Sequence, residues 1–521
     1  MSPTTSMSRR SCPSSARRRH PFRIAPSKTR ARHGASPSSQ TTRSSPGTLR
    51  PHPHPRSSLP LTRTRYRDRN SFRFLGVRYA PQPSRFTHAN PHAGQGGNVS
   101  AVSFGSQCMQ YGSGSEDCHF LNIWTPHLPH THPHPGKARP EKLKAVMLWV
   151  HGGGFTGGTA NDPVFDGGNL ASRGDVVVVA INYRVGALGF LALDDGETNG
   201  NYGFSDAVLA LKWVGDHIRS FGGDPERVTV FGQSAGAAVV RAMLASPEAR
   251  GMIAGAVPMS NLGGLGYGES FSKYRSIPEA TVGGEEVLEA ANCTDVSCLR
   301  DIPVDTLSTL PGDVSYLVVD GTYLTSDGLQ FSGEELDVHL MMGTAAEDGA
   351  AMITYPRNAT LEDTAWLTDQ DLPAPPPDLF PLPDIKNDTL AADTVAARLA
   401  TDAMFRCADQ ATANALLETS MLSEVFYYEF DRTYQIPGWP MLDLCEPGGH
   451  PDGEPTKGYL RCHSGELLYV FGNVVREGLP VRDGDLEFGQ FVLDAFASFA
   501  RTFDPNPEEG FLVARGYGNT A

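Results

Sequence analysis

Four short apolar runs stand out along the middle of the chain: 145–150 (Ala-Val-Met-Leu-Trp-Val), 176–181 (Val-Val-Val-Val-Ala-Ile), 228–231 (Val-Thr-Val-Phe) and 256–259 (Ala-Val-Pro-Met). Continuous runs of this length, rich in β-branched residues, predict strands buried on both faces, as in a parallel sheet. Two later runs, 338–342 and 425–430, read the same way. Between the second and third runs the period changes. Phe204, Val208, Leu211, Val214, Ile218 and Phe221 recur every three or four residues, which predicts a helix with one apolar face, and Ser205 or Asp206 can cap its start. A closing helix is expected over 486–503, with Phe488, Phe491, Val492, Phe496 and Phe499 on one side. Alternating strands and helices predict an α/β fold with right-handed crossovers. No internal repeat is present, and no run approaches the roughly 18 apolar residues of a membrane span.

The third run leads into the most informative segment, Val228-Thr229-Val230-Phe231-Gly232-Gln233-Ser234-Ala235-Gly236-Ala237. A Gly-x-Ser-x-Gly pattern alone is short enough to arise by chance. Here a strand precedes it, and small residues open a helix behind it. That context predicts a sharp strand–turn–helix elbow presenting the Ser234 hydroxyl at the carboxyl edge of a sheet. A serine attacking an ester generates a tetrahedral oxyanion, best stabilised by preorganised backbone N–H groups. His151-Gly152-Gly153-Gly154-Phe155 follows directly after the first strand, so the N–H groups of Gly153 and Gly154 are candidates, with that of Ala235 as a third.

At this point the chain resembles the type-B carboxylesterase/lipase family, the cholinesterase-like α/β hydrolases, and most closely its fungal branch. The resemblance is carried by five blocks in order: Ser115-Glu116-Asp117-Cys118-His119-Phe120-Leu121-Asn122-Ile123-Trp124, His151-Gly152-Gly153-Gly154-Phe155, Asn182-Tyr183-Arg184-Val185-Gly186, Phe221-Gly222-Gly223-Asp224-Pro225 and Gly232-Gln233-Ser234-Ala235-Gly236. With weaker matches it extends over roughly residues 72–520. It implies an α/β-hydrolase fold with a large, mostly parallel central sheet flanked by helices, and a buried ion pair between Glu116 and Arg184.

A serine nucleophile needs a histidine base, and the base needs an acid to set its tautomer. In α/β hydrolases both follow the serine, acid first. Three histidines qualify. His339 sits within an apolar strand and reads as a core residue; His450 lies in a Gly-Gly-His-Pro loop; His463 lies in Cys462-His463-Ser464-Gly465-Glu466-Leu467, which resembles the family's histidine block. His463 is therefore the expected base. For the acid, Gly343-Thr344-Ala345-Ala346-Glu347-Asp348-Gly349 resembles the block in which an acid precedes glycine. The family usually has Glu there. This chain has Asp348, the expected acid, with Glu347 next to it as the alternative.

The resemblance also implies disulfides Cys108–Cys118 and Cys293–Cys298, while Cys445 and Cys462 are a further candidate pair and Cys407 and Cys12 are left over. In related lipases the first disulfide loop forms a long flap over the site. Here it holds nine residues, among them Gly112, Ser113, Gly114 and Ser115, too few and too poor in helix formers for a lid helix. That points to an open site taking short, soluble esters. No pair of cysteines has zinc-ligand spacing with histidine. The tract 127–137, with His130, His132 and His134, lacks a Cys or acid, and its interleaved prolines hold it extended, so it reads as a surface loop. Residues 374–383, rich in proline, read as another. No metal or organic cofactor is expected.

Charge separates the ends from the rest. Residues 1–67 carry 15 Arg and Lys and no acid, so the formal charge of −14 conceals 29 bases against 58 acids beyond them. Nucleic acid is not an expected partner of so acidic a globule. Residues 1–65, rich in Ser, Arg, Pro and Thr, are expected to be a disordered tail, with an organellar transit peptide or a wrongly chosen gene start as the other readings. Residues 66–521 are expected to form the hydrolase domain, and the family usually continues past a stretch like 504–520. Disulfides and four Asn-x-Ser/Thr sequons (Asn98, Asn292, Asn358, Asn387) point to a secreted glycoprotein, although the N-terminus shows no secretory apolar core. The reading is a serine carboxylic-ester hydrolase: Ser234 nucleophile, His463 base, Asp348 acid, and Gly153, Gly154 and Ala235 as oxyanion donors. Its rivals are a lipase for long-chain esters, an inactive binding module of the same fold, and an incomplete product that does not fold. Nothing in the sequence sets the acyl or alcohol group, or the oligomeric state.

Overall fold

The apolar runs assemble side by side, and their register brings the chemically interesting residues to one edge. The computed structural model describes residues 70–92, 99–129, 142–264, 271–333, 335–385, 387–446 and 459–516, and the backbone of 22–26, 63–64 and 66–68. Cys12, the Asn98 sequon, the histidine tract from His130 onward and His450 lie outside the described residues.

Among the described residues, ten strands form the main sheet: β1 (Phe22–Pro26), β2 (Tyr66–Asp68), β3 (Ser71–Arg78), β4 (Phe120–Thr125), β5 (Lys144–Val150), β6 (Val177–Ile181), β7 (Gly223–Gln233), β8 (Gly255–Met259), β9 (His339–Ala345) and β10 (Val425–Phe430). Their spatial order is β1-β10-β9-β8-β7-β5-β6-β4-β3-β2. The six from β6 to β10 run parallel, and β4, β3 and β2 continue antiparallel on one side. Val150 lies opposite Gly232, and Met259 lies opposite both Gln233 and Gly343, so β5, β7, β8 and β9 finish at one level.

Successive residues of the central strands serve opposite faces, as a pleated strand requires. Val146, Leu148 and Val150 of β5 join Val228 and Val230 of β7 under helices α2 (Tyr202–His217) and α3 (Ala235–Ala245). Ala145, Met147 and Trp149 face the other way, towards α1 (Gly168–Gly174) and α7 (Asp485–Thr502). Phe488, Val492, Phe496 and Phe499 of α7 are buried there, and Phe491 packs partly buried against the same cluster. Three further helices are α4 (Ile277–Ala290), α5 (Asp388–Thr401) and α6 (Cys407–Glu418).

Three sequence expectations are corrected. Helix α2 starts at Asn201, whose backbone is left-handed, and neither Ser205 nor Asp206 caps it; both are buried inside the first turns. Arg184 takes Asp206 as its partner, with Nε to Oδ2 and Nη2 to Oδ1 each at 2.8 Å, and His119 lies 3.1 Å from the same carboxylate. Glu116 pairs instead with Arg85 at 2.6 Å, so the expected Glu116–Arg184 pair is not formed. His339 is exposed at the first position of β9 and stacks on Phe503 with ring centroids 4.1 Å apart. Phe22–Pro26 pairs antiparallel with β10 and covers main-chain groups that an open sheet edge would leave unpaired, while the rest of residues 1–62 lies outside the described residues.

Candidate active site

Ser234 stands between the last residue of β7 and the first of α3, with φ 59° and ψ −125°. Such a backbone is costly for a residue with a Cβ and persists only where the surroundings over-determine it. They do so here by close approach. A Cβ on Gly236 would sit 2.1 Å from the Val150 carbonyl oxygen, and one on Gly232 would sit 2.5 Å from that of Gly236. The elbow is thereby wedged against the end of β5, and Ser234 is only 7% exposed.

Asp348 comes from the turn after β9, and His463 from the loop that precedes Glu466. Oδ1 of Asp348 lies 2.6 Å from Nδ1 of His463. Its Oδ2 accepts from the Ser260 hydroxyl at 2.6 Å and from the Ala345 N–H at 2.8 Å. Both residues are buried. Glu347, the alternative acid, turns away: it accepts from Arg398 Nε at 3.2 Å and from the Arg461 N–H at 3.1 Å, and its own N–H donates to the Arg461 carbonyl at 3.1 Å. The acid loop and the base loop are thus bonded to each other one residue from Asp348 and two from His463. The Cys445–Cys462 disulfide is formed beside them. Phe405 and Trp439 pack on the imidazole with centroids at 5.1 and 6.1 Å.

The contact expected between nucleophile and base is not made. Among the described residues no hydrogen bond joins Ser234 Oγ to His463; Nε2 of the ring faces the side-chain amide nitrogen of Gln233 at 3.1 Å. Three residues on from His463, Glu466 is 1% exposed with neither carboxylate oxygen in a hydrogen bond. Burial, and then the charge of Asp348, push its carboxyl up to about 8. Asp409 of α6 is likewise held well above the usual carboxylate range by burial.

The glycine loop after β5 curls under the serine. Gly153 and Gly154 have φ 112° and 62°, and the Gly153 carbonyl accepts from the N–H groups of Thr156 and Gly157. Among the described residues, the N–H groups of Gly153, Gly154 and Ala235 have no protein acceptor. The loop is braced from outside by the Cys108–Cys118 loop. Gln110 accepts from the Gly158 N–H at 2.7 Å and donates to the Gly158 carbonyl at 2.9 Å, and Tyr111 meets Thr156 through their hydroxyls at 2.7 Å. Disulfides Cys108–Cys118 and Cys293–Cys298 are formed as expected, and the first loop contains no helix. His151 stacks on Tyr183 at 4.4 Å, and burial lowers its pKa to about 4, so it is a neutral part of the scaffold.

Reasoning from the sequence alone passed over Gln233, Ser260, Glu466 and Gln110. Ser260 was the most accessible of these, since it follows β8 immediately at the edge where the elbow lies. A cavity of about 670 Å³ opens at the other end of the strands, beside His339 and Phe503, and none of the expected site residues lines it.

A strained serine at a strand–helix elbow, an acid–histidine pair on the same edge and an N–H-rich glycine loop define a serine hydrolase of the α/β class. The chain belongs to the carboxylesterase family, whose model matches residues 62–372 and 383–515, and carboxylic-ester hydrolysis is its class of activity. It is 28% identical over 480 residues to the bile salt-activated lipase of Rattus norvegicus, covering 83% of this chain and 73% of the relative. It is also 28% identical over 482 residues to the para-nitrobenzyl esterase of Bacillus subtilis, covering 84% and 87%. Among solved structures it resembles a Geobacillus stearothermophilus carboxylesterase at TM-score 0.66 and 27% identity, covering 85% of this chain and 90% of that one.

Proposed function

We propose that Ser234, His463 and Asp348 hydrolyse esters through an acyl-enzyme, with Gly153, Gly154 and Ala235 as the oxyanion donors. Ser234 Oγ bonds to the ester carbonyl carbon as its proton passes to His463 Nε2, and the carbonyl electron pair moves onto oxygen, towards the three N–H groups. Collapse expels the alcohol, which leaves with the proton from Nε2. Water then repeats the cycle on the acyl-serine and releases the acid. Asp348 accepts from Nδ1–H throughout, keeping the Nε2 lone pair towards the serine. The observation that carries this reading is the convergence of the Ser234 elbow and the 2.6 Å Asp348–His463 pair at one sheet edge. A fluorophosphonate probe should label Ser234 in the wild-type chain, and Ser234→Ala should abolish hydrolysis of short p-nitrophenyl esters with the fold intact. Near wild-type turnover in that variant would remove the proposal.

The proposed substrates are short, soluble esters, supported by a Cys108–Cys118 loop too small and irregular to act as a helical flap. The lipase reading is favoured by the names of the bile salt-activated relatives. Rates across the solubility limit of tributyrin separate the two, because an interfacial lipase accelerates when the emulsion forms. We also read the chain as one of the fungal branch, on the likeness of its motif blocks, and as a secreted glycoprotein. Three disulfides suit an oxidising compartment, and the sequons at Asn292, Asn358 and Asn387 are exposed. Among the described residues no helix is long and apolar enough to cross a membrane.

A further inference from the structure

Gln233 precedes the serine in the chain, yet its side chain acts on the histidine. The residue is 2% exposed, and its amide nitrogen lies 3.1 Å from Nε2 of His463. The Asp348 carboxylate on the other side can only accept, so Nδ1 carries the ring proton and Nε2 presents a lone pair. That lone pair must receive the Ser234 proton, and in this structure the amide N–H of Gln233 occupies it. The amide is held in this orientation: the Ser464 hydroxyl donates to its Oε1 at 3.1 Å. The same oxygen also lies against the glycine loop, since a Cβ on Gly152 would sit 3.2 Å from it.

We infer that Gln233 is a positioning residue that holds His463 in the free enzyme, its amide donating to Nε2 until Ser234 displaces it, with Ser464 fixing the amide for that purpose. The inference rests on the proposed roles of Ser234 and His463. One consequence follows. Acylation exchanges the Gln233–His463 bond for a Ser234–His463 bond, so part of the Gln233 bond opposes proton transfer.

The titratable groups around the Asp348–His463 pair are Glu466 in the base loop, Tyr428 in β10, Asp409 in α6 and, beyond Asp409, Arg241 in α3. Substitution at 233 leaves all of them in place. Gln233→Met keeps the length and apolar volume and removes the donor. Its fluorophosphonate labelling rate should rise ~2–10-fold, the equivalent of one ordinary buried hydrogen bond. Ser464→Ala, which frees the amide while keeping Gln233, should raise the labelling rate by less. It carries the test if the methionine variant fails to fold. Unchanged or slower labelling in a folded variant would overturn the role of Gln233. Failure of the wild-type chain to be labelled at Ser234 would instead overturn the triad itself.

Discussion

Replacing Asp348 with asparagine tests how the structure assigns the acid, because its surroundings dictate how the new amide must sit. Two donors point at Oδ2 of Asp348, the Ser260 hydroxyl and the Ala345 N–H, and one of them is a backbone group that cannot turn away. In Asp348→Asn the amide oxygen must therefore take the Oδ2 position and its NH₂ must take that of Oδ1. The NH₂ then donates to Nδ1 of His463, which forces the ring proton onto Nε2 and removes the lone pair that would accept from Ser234. Side-chain volume is unchanged. A wrong-tautomer histidine in a comparable triad costs about 10⁴ in kcat, roughly 5–6 kcal/mol of barrier, and a loss of that order is expected here. Glu347→Gln is the matched control. Glu347 faces Arg398 and Arg461, so its variant should lose thermal stability while retaining kcat within about tenfold. Initial rates with p-nitrophenyl acetate, alongside melting curves, decide the matter. A loss in Asp348→Asn below tenfold, or a larger kcat loss in Glu347→Gln, would refute the assignment.

Two further outcomes are expected. Glu466 is held protonated to about 8, against roughly 4.3 in an unfolded chain, so its contribution to stability is complete below the lower value and is lost as pH rises through the upper one. Glu466→Gln should therefore gain in melting temperature relative to wild type between pH 5 and pH 8 and hold that gain above; a difference constant with pH would count against a buried, protonated Glu466. Gln110→Ala removes both hydrogen bonds to Gly158 and loosens the glycine loop, so kcat should fall about tenfold or more with little change in KM. Unchanged kcat would mean the loop holds its shape without the brace.

What could be read from the sequence followed how much of each signal is local. The parallel strands announce themselves because burial on both faces makes every position apolar. β3 and β4 carry polar residues such as Arg73 and Asn122 among their apolar ones and were passed over. Ser234 was legible because an elbow imposes glycines two residues to either side. Choosing Asp348 over Glu347 depends on which of two adjacent side chains faces His463, and that is set by Arg461 and Ser260, distant in sequence. The partners of Arg184 and Glu116 failed for the same reason: ion pairing follows spatial neighbours, and Asp206 and Arg85 lie on segments whose approach no local pattern encodes. His339 looked like a core residue because its neighbours downstream are apolar, yet the strand begins with it, at the rim.

The bonds between Glu347 and Arg461 make the acid and base loops a single body, separate from the elbow that carries the serine. The site is therefore two halves meeting along a seam, bridged by the side chains of Gln233 and Ser464 and by Ser260, which reaches Asp348 from the end of β8. Slippage of one half against the other would silence the enzyme while every helix and strand kept its place. Heat inactivation should then run ahead of the loss of secondary structure. Substitutions at 233 and 464 become the places to retune reactivity without spending the stability of the sheet.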